Sequence, residues 1–199
     1  MQDRTTDIRF DGSARPLLGG LMLIQGFLGY EWFMSGLAKM LSGEFVSALG
    51  DDLTERSGDL TGPYKAFLDG IVIPNAQIFG YVVMIGELAL GIGLIGLAAV
   101  WWFRWAALSF NSRSVLLGLI VTAGVIGVLM NVNFHLANGS PHPWLIAADP
   151  FDEGIDLDSV APLIQLAISG VALVMLRRVR TTRAASVTPP TVETSTARA

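Results

Sequence analysis

The sequence contains no cysteine. That excludes structural disulfides, thiolate catalysis, cysteine-ligated iron–sulfur clusters and haem attached through Cys-x-x-Cys-His. Histidine is almost as scarce. His135 and His142 are the two present, seven residues apart with a proline between them, which disfavours a bis-histidine haem. The pattern therefore predicts no haem, no iron–sulfur cluster and no metal, and any redox cofactor has to be diffusible or belong to a partner. Charge is scarce too. Only 15% of the 199 residues are charged against 52% hydrophobic, where a soluble domain carries roughly 25% charged residues. The net charge of -4 gives no basic footprint for nucleic acid.

What is present is long apolar sequence. A membrane-crossing helix needs about 20 mostly apolar residues, and four segments qualify, at about 16–41, 74–100, 115–134 and 160–176. The expected fold is an all-α integral membrane protein, a four-transmembrane-helix bundle over 16–176. Segment 1–15 precedes it, and a basic and then disordered tail follows over 177–199. Acidic residues within 1–15 and the length of the first apolar run argue against a cleavable signal peptide.

The flanking charges orient the bundle. Arg4, Arg9 and Arg15 precede the first span, Arg104 and Arg113 lie between the second and third, and Arg177, Arg178, Arg180 and Arg183 follow the fourth. The remaining loops are acidic: 42–73 holds six acids against Arg56 and Lys65, and 135–159 holds five acids and no Lys or Arg. By the positive-inside rule both termini are cytoplasmic and the loops 42–73 and 135–159 lie outside the plasma membrane. Trp101, Trp102 and Trp105 suit an inner interfacial belt and Trp144 an outer one. In the first outer loop, Phe67, Leu68, Ile71 and Val72 suit a short amphipathic helix.

Against that background a few polar residues stand out. The stretch YEWFMSGLAKM (30–40) places Glu31 and Lys39 inside the first span, where a bare charge costs at least about 2.5–3.5 kcal/mol at mid-depth. Glu87 lies at the middle of the second span. Glu31, Ser35 and Lys39 step around their helix by about 40° each, forming one slanting stripe. In the third span Asn131, His135 and Asn138 fall on one face within about 40°, with Asn133 pointing elsewhere. These residues predict an outward polar site of Glu31, Ser35, Lys39, Glu87, Asn131, His135 and Asn138, with Lys39, Glu87 and His135 as the catalytic candidates. Bland readings stand beside it. Lys39 can snorkel to headgroups, either acid can be a structural hydrogen-bonded group, and the Asn/His face can be ordinary interhelical hydrogen bonding. Glu87 is favoured over Glu31 as partner of Lys39, because Glu31 is about 80° from Lys39 on its own helix.

Two motifs are discounted. GIGLIG (91–96) matches a dinucleotide fingerprint by letter but lies inside an apolar helix with no preceding strand. DPFDEGIDLD (149–158) lacks the spacing of a calcium loop and reads as a solvated acidic loop.

The polar residues also carry a resemblance. Arg15 before the first span, Gly36-x-x-Lys39 at its end, Glu87 with Gly91 after it, and NVNFHLANG (131–139) closing the third span resemble the DoxX/DoxD group of small four-helix membrane proteins. The nearer likeness is to the DoxD-like small subunit of thiosulfate:quinone oxidoreductase, over roughly 15–176. The resemblance implies a membrane subunit linked to quinone-dependent oxidation of a small sulfur anion such as thiosulfate, with a diffusible quinone as acceptor. It also implies a second protein subunit beside the lipid bilayer as partner. On this reading Lys39 and the asparagines hold the anion, His135 handles a proton, and Glu31 or Glu87 accepts protons or hydrogen-bonds a quinone. The alternatives are a non-catalytic accessory subunit of a respiratory or redox-stress complex, and a small-solute or proton transporter.

Overall fold

The computed structural model describes residues 14–138 and 157–187, and every regular element in them is helical. Helix α1 spans Ala14–Ser42 and α2 spans Phe45–Ser57. A short α3, Pro63–Phe67, runs through a π-turn (Leu68–Val72) and a 3-10 turn (Ile73–Asn75) into α4, Ala76–Arg104. A 3-10 turn, Trp105–Ala107, leads to α5, Phe110–Ala137, and α6 spans Leu157–Val187. His142, Trp144 and most of the acidic 149–158 loop lie outside the described residues.

Three stretches are long and apolar enough to cross a membrane: Pro63–Ala107, Phe110–Ala137 and Val160–Thr181. Their outward surfaces agree with that environment. Large apolar side chains stand bare along them, Phe103 at 79% and Ile78, Leu129 and Leu166 also exposed, a density that soluble surfaces do not carry. These helices make the chain a membrane protein. Helix α1 has the length as well, 29 residues, but Gln25, Glu31 and Lys39 dilute its apolar character.

The helices form two antiparallel pairs, α1 with α4 and α5 with α6. Each pair closes over small residues, as helices in lipid must, since no hydrophobic force drives them together there. On α1 the small residues are Gly29 and Gly36, and on α4 Gly91. A β-carbon added at Gly91 would stand 2.4 Å from the Phe33 backbone nitrogen, and one at Gly36 2.8 Å from the Leu88 nitrogen. On α5 the buried stripe Leu117, Ile120, Gly124, Gly127, Asn131 and His135 follows the helical period. Its glycines accept Gln165 and Ser169 of α6. The main apolar core lies between the pairs, toward the α4–α5 turn, with Leu117, Ile120, Ile168 and Val179 almost wholly buried. That turn is fastened by Trp101 stacked on Trp105, ring centroids 4.0 Å apart, and by Arg113, which sits over Trp105 and donates to the Trp105 and Ala106 carbonyls. Ser109 caps α5 by accepting the Ser112 amide.

The opposite end is capped by α2 and α3. Phe45, Leu49 and Leu53 recur every fourth residue on α2, so one face is apolar, and it docks where Gly80 of α4 admits the Val46 backbone. Leu53, Leu68 and Val72 form a small core beneath this cap.

Three expectations are corrected. The 63–75 segment is helical, but it continues into α4 rather than lying apart, and of its apolar residues Leu68 and Val72 are buried while Phe67 and Ile71 stay exposed. Between α1 and α3, where 42–73 is read as an acidic loop with one short amphipathic helix, stands a 13-residue helix, α2. Helix α6 runs to Val187, past Thr181 where a disordered tail was expected, because Arg and Ala are strong helix formers and nothing in RTTRAASV breaks the helix.

Candidate functional site at the capped end

The site grows from the tight α1–α4 seam. Because Gly36 brings α1 against Glu87 and Leu88, the side chain one turn further on, Lys39, reaches across to α4. Its Nζ donates to Glu87 Oε1 at 2.9 Å, to Glu87 Oε2 at 2.8 Å and to Ser35 Oγ at 2.8 Å. An ammonium has three donors, and all three are engaged. Glu87 is completely buried, while 24% of the Lys39 side chain is accessible and faces the Phe45 ring, 5.3 Å from its centroid. A pair in this setting adds little net stability, since two charges have been desolvated, but losing one partner would strand the other. It fixes the register of α1 on α4. The structure thus pairs Lys39 with Glu87 and not with Glu31.

Above the pair lies a cavity of about 380 Å³, within the 300–1,000 Å³ of small-molecule sites. Its floor is Ser35 and Lys39. Its walls are apolar and largely aromatic: Phe45, Leu49 and Leu53 from α2, Phe67, Leu68 and Val72 from the α3 segment, Phe79 and Val83 from α4, and Phe134 from α5. Its rim is polar. Arg56 Nε pairs with Asp52 at 2.9 Å, and Arg56 Nη1 donates to Asn138 Oδ1. The Tyr64 hydroxyl donates to Asn133, to the side-chain Oδ1 at 2.7 Å and the backbone oxygen at 3.0 Å. Lys65 donates to the Ser57 carbonyl at 2.6 Å and pairs with Asp69 at 3.2 Å, tying α2 to the α3 segment. The cap is thus laced to the end of α5 on both sides of the cavity.

The charges in the cavity balance: Lys39 against Glu87 and Arg56 against Asp52. Lys39, which the resemblance implies holds an anion, has its three donors engaged within the protein, and the cavity is charge-balanced with aromatic side chains in its walls. Within it, a ligand can stack on rings and exchange hydrogen bonds with amides, Tyr64 and the outer nitrogens of Arg56.

The other expected residues are distributed differently. Asn138 is on the rim. Asn131 is buried and turned toward α6, where its Nδ2 donates to Gln165 Oε1 at 3.3 Å. His135 is buried and does not line the cavity. Both belong to the glycine-containing seam of α5, so the face they share meets α6. Asn133, expected to point elsewhere, lines the cavity instead. Glu31 is exposed on α1 and lines a separate small notch with Leu28, Trp32, Ser35, Asn131, Phe134 and Ala161.

Several polar residues carried no sequence signal. Gln25 donates to the Leu94 carbonyl at 3.1 Å, yet its Oε1 has no partner among the described residues, nor have Gln165 Nε2 and Ser169 Oγ. All three side chains are buried. Asp52, Arg56 and Tyr64 lie in the part of the 42–73 loop whose charges alone are read; the four-residue spacing of Phe45, Leu49 and Leu53 is the signal that finds α2 beneath Asp52 and Arg56.

Compared with known proteins, the chain matches no family model, no curated protein and no solved structure.

Proposed function

We propose that this chain is the membrane subunit of a quinone-linked oxidoreductase acting on a small sulfur anion, with thiosulfate as the substrate the resemblance implies. In this reading α1 is a fourth span. Its length, its antiparallel course along α4, and the exposed Leu23, Ile24, Phe27 and Met34 support that. The arginine-rich flanks support a reading in which both termini are cytoplasmic and the capped end faces outside the plasma membrane.

The observation that carries the reading is the aromatic-walled cavity over the Lys39–Glu87 pair. Its volume, flat apolar walls and polar rim suit the ring of a quinone better than a bare anion. Once bound, a quinone accepts two electrons and two protons. The chain's part is to receive the ring between Phe45, Phe79 and Phe134, to offer it hydrogen bonds from the Asn133 and Asn138 amide nitrogens, which Tyr64 and Arg56 orient through the amide oxygens, and to keep the ammonium of Lys39 near it. Arg56, at the rim, is the cation that can meet the sulfur anion or the second subunit that delivers its electrons. A second reading, a non-catalytic accessory subunit, is favoured by the saturation of Lys39: an ammonium with all three donors engaged is built to hold two helices together.

Membranes carrying the chain and its partner subunit should reduce a short-chain quinone analogue when given thiosulfate, and Tyr64→Phe with Asn138→Ala should slow that reduction while the protein still folds. Absence of turnover in every preparation that holds both subunits would leave the accessory reading standing.

A further inference from the structure

The notch beside Glu31 is small, about 70 Å³, but a water needs only about 10–15 Å³ of such space and two to four polar partners. The notch offers the carboxyl of Glu31, the hydroxyl of Ser35 and the Oδ1 of Asn131, whose Nδ2 is turned to Gln165. It lies between α1, the end of α5 and the start of α6. Asn131 is six residues before the end of α5, so the notch sits about 9 Å below that end of the bundle.

Ser35 and Phe134 line both this notch and the large cavity. Ser35 is one turn from Glu31 and one turn from Lys39. Its oxygen accepts from Lys39 at 2.8 Å, and its hydroxyl donates to the Glu87 carboxylate. Phe134, with its ring centroid 6.0 Å from that of Trp32, stands between the two spaces.

We infer that the notch is a water-filled side branch of the capped-end cavity, bordered by Ser35 and partitioned by the Phe134 ring, that gives the Glu31 carboxyl an aqueous path for protons to the cavity rim. Each transfer passes one proton between oxygens, from cavity water to notch water and on to Glu31, with no change of oxidation state. This explains how an exposed carboxyl is tolerated on a helix whose neighbouring side chains face lipid: its solvent is the branch. The inference holds whichever ligand the cavity takes.

The absence of cysteine makes the test clean. Single cysteines are placed at Glu31, at the notch-lining Ala161, at the rim residue Asp52 and at the lipid-facing Leu23, and each is treated in sealed vesicles with a charged, membrane-impermeant methanethiosulfonate. The reagent needs a thiolate and hence water. Glu31→Cys and Ala161→Cys are expected to react from the same side as Asp52→Cys, at least about tenfold faster than Leu23→Cys, and adding Phe134→Ala should speed both. Ala161→Cys is a small-for-small change that keeps the test valid if Glu31→Cys does not fold. Notch cysteines as inert as Leu23→Cys, or reactive only from the side opposite Asp52→Cys, would overturn the inference.

Discussion

The two helix pairs solve the same packing problem with different polar chemistry. In both, glycines make the room: across α1–α4 they let backbone approach backbone, and across α5–α6 they receive the Gln165 and Ser169 side chains. Across the α1–α4 seam the polar link is a buried ion pair, Lys39 with Glu87, and every donor of the ammonium is used. Across the α5–α6 seam the link is neutral: Asn131 donates to Gln165, while Gln165 Nε2 and Ser169 Oγ lack partners among the described residues. The first arrangement is intolerant, since removing Lys39 leaves the wholly buried Glu87 carboxylate without a counter-charge. The second is permissive, because a neutral amide without its partner costs far less than a bare ion. The difference also places the candidate site. The cavity lies over the intolerant seam, whose floor is held rigid by the pair.

Substitutions separate the two seams, and the largest effect belongs to the ion pair. Lys39→Met should destabilise the protein by about 3–5 kcal/mol in detergent unfolding, and adding Glu87→Leu should restore most of the loss. If the single substitution were as mild as the double, the pair would not be dry. Next comes Gly91→Ala, whose new methyl would meet the Phe33 backbone at 2.4 Å. Backbone cannot rotate away, so a loss of about 2–3 kcal/mol is expected. Gly93→Ala, with nothing within 4 Å, serves as the control and should be neutral or gain up to about 1 kcal/mol from helix propensity. On the other seam Gly127→Ala meets only the Gln165 amide, at 2.4 Å, which can swing aside, so about 1 kcal/mol is expected from the same unfolding curves. The smallest effect should come from Gln165→Leu. It removes an unpartnered donor together with the acceptor of Asn131, and the two changes should offset to within about 1 kcal/mol. A Gln165→Leu loss as large as that of Lys39→Met would erase the contrast between the seams.

These seams also show what could be read in advance. The long helices were legible because a lipid environment imposes unbroken apolar length, and Lys39 and Glu87 because a charge in such a run is conspicuous. The 3.6-residue period correctly put Asn131 and His135 on one face, but a period says nothing about which helix that face meets. The continuation of that same stripe through Gly124 and Gly127 would have pointed it at a close helix partner, and it meets α6 rather than the cavity. Gln25, Gln165 and Ser169 escaped notice because a neutral amide or hydroxyl is unremarkable in sequence and acquires meaning only when burial strands it. Helix α2, with Asp52 and Arg56, escaped because acids dominate its segment and outweigh the spacing of Phe45, Leu49 and Leu53.

A ligand site in the cavity above Lys39 and Glu87 has to lose its ligand when the cavity is filled. The most direct test fills it without touching the pair. Val83 lines the cavity from α4, and Val83→Trp should occupy the space. Thermal unfolding of the purified protein is followed with and without a short-chain quinone analogue. A ligand at about 100 times its Kd should stabilise the wild type by roughly 2.7 kcal/mol. The account predicts that this shift disappears in Val83→Trp while its unfolding without ligand stays cooperative. An equal shift in both proteins would contradict it.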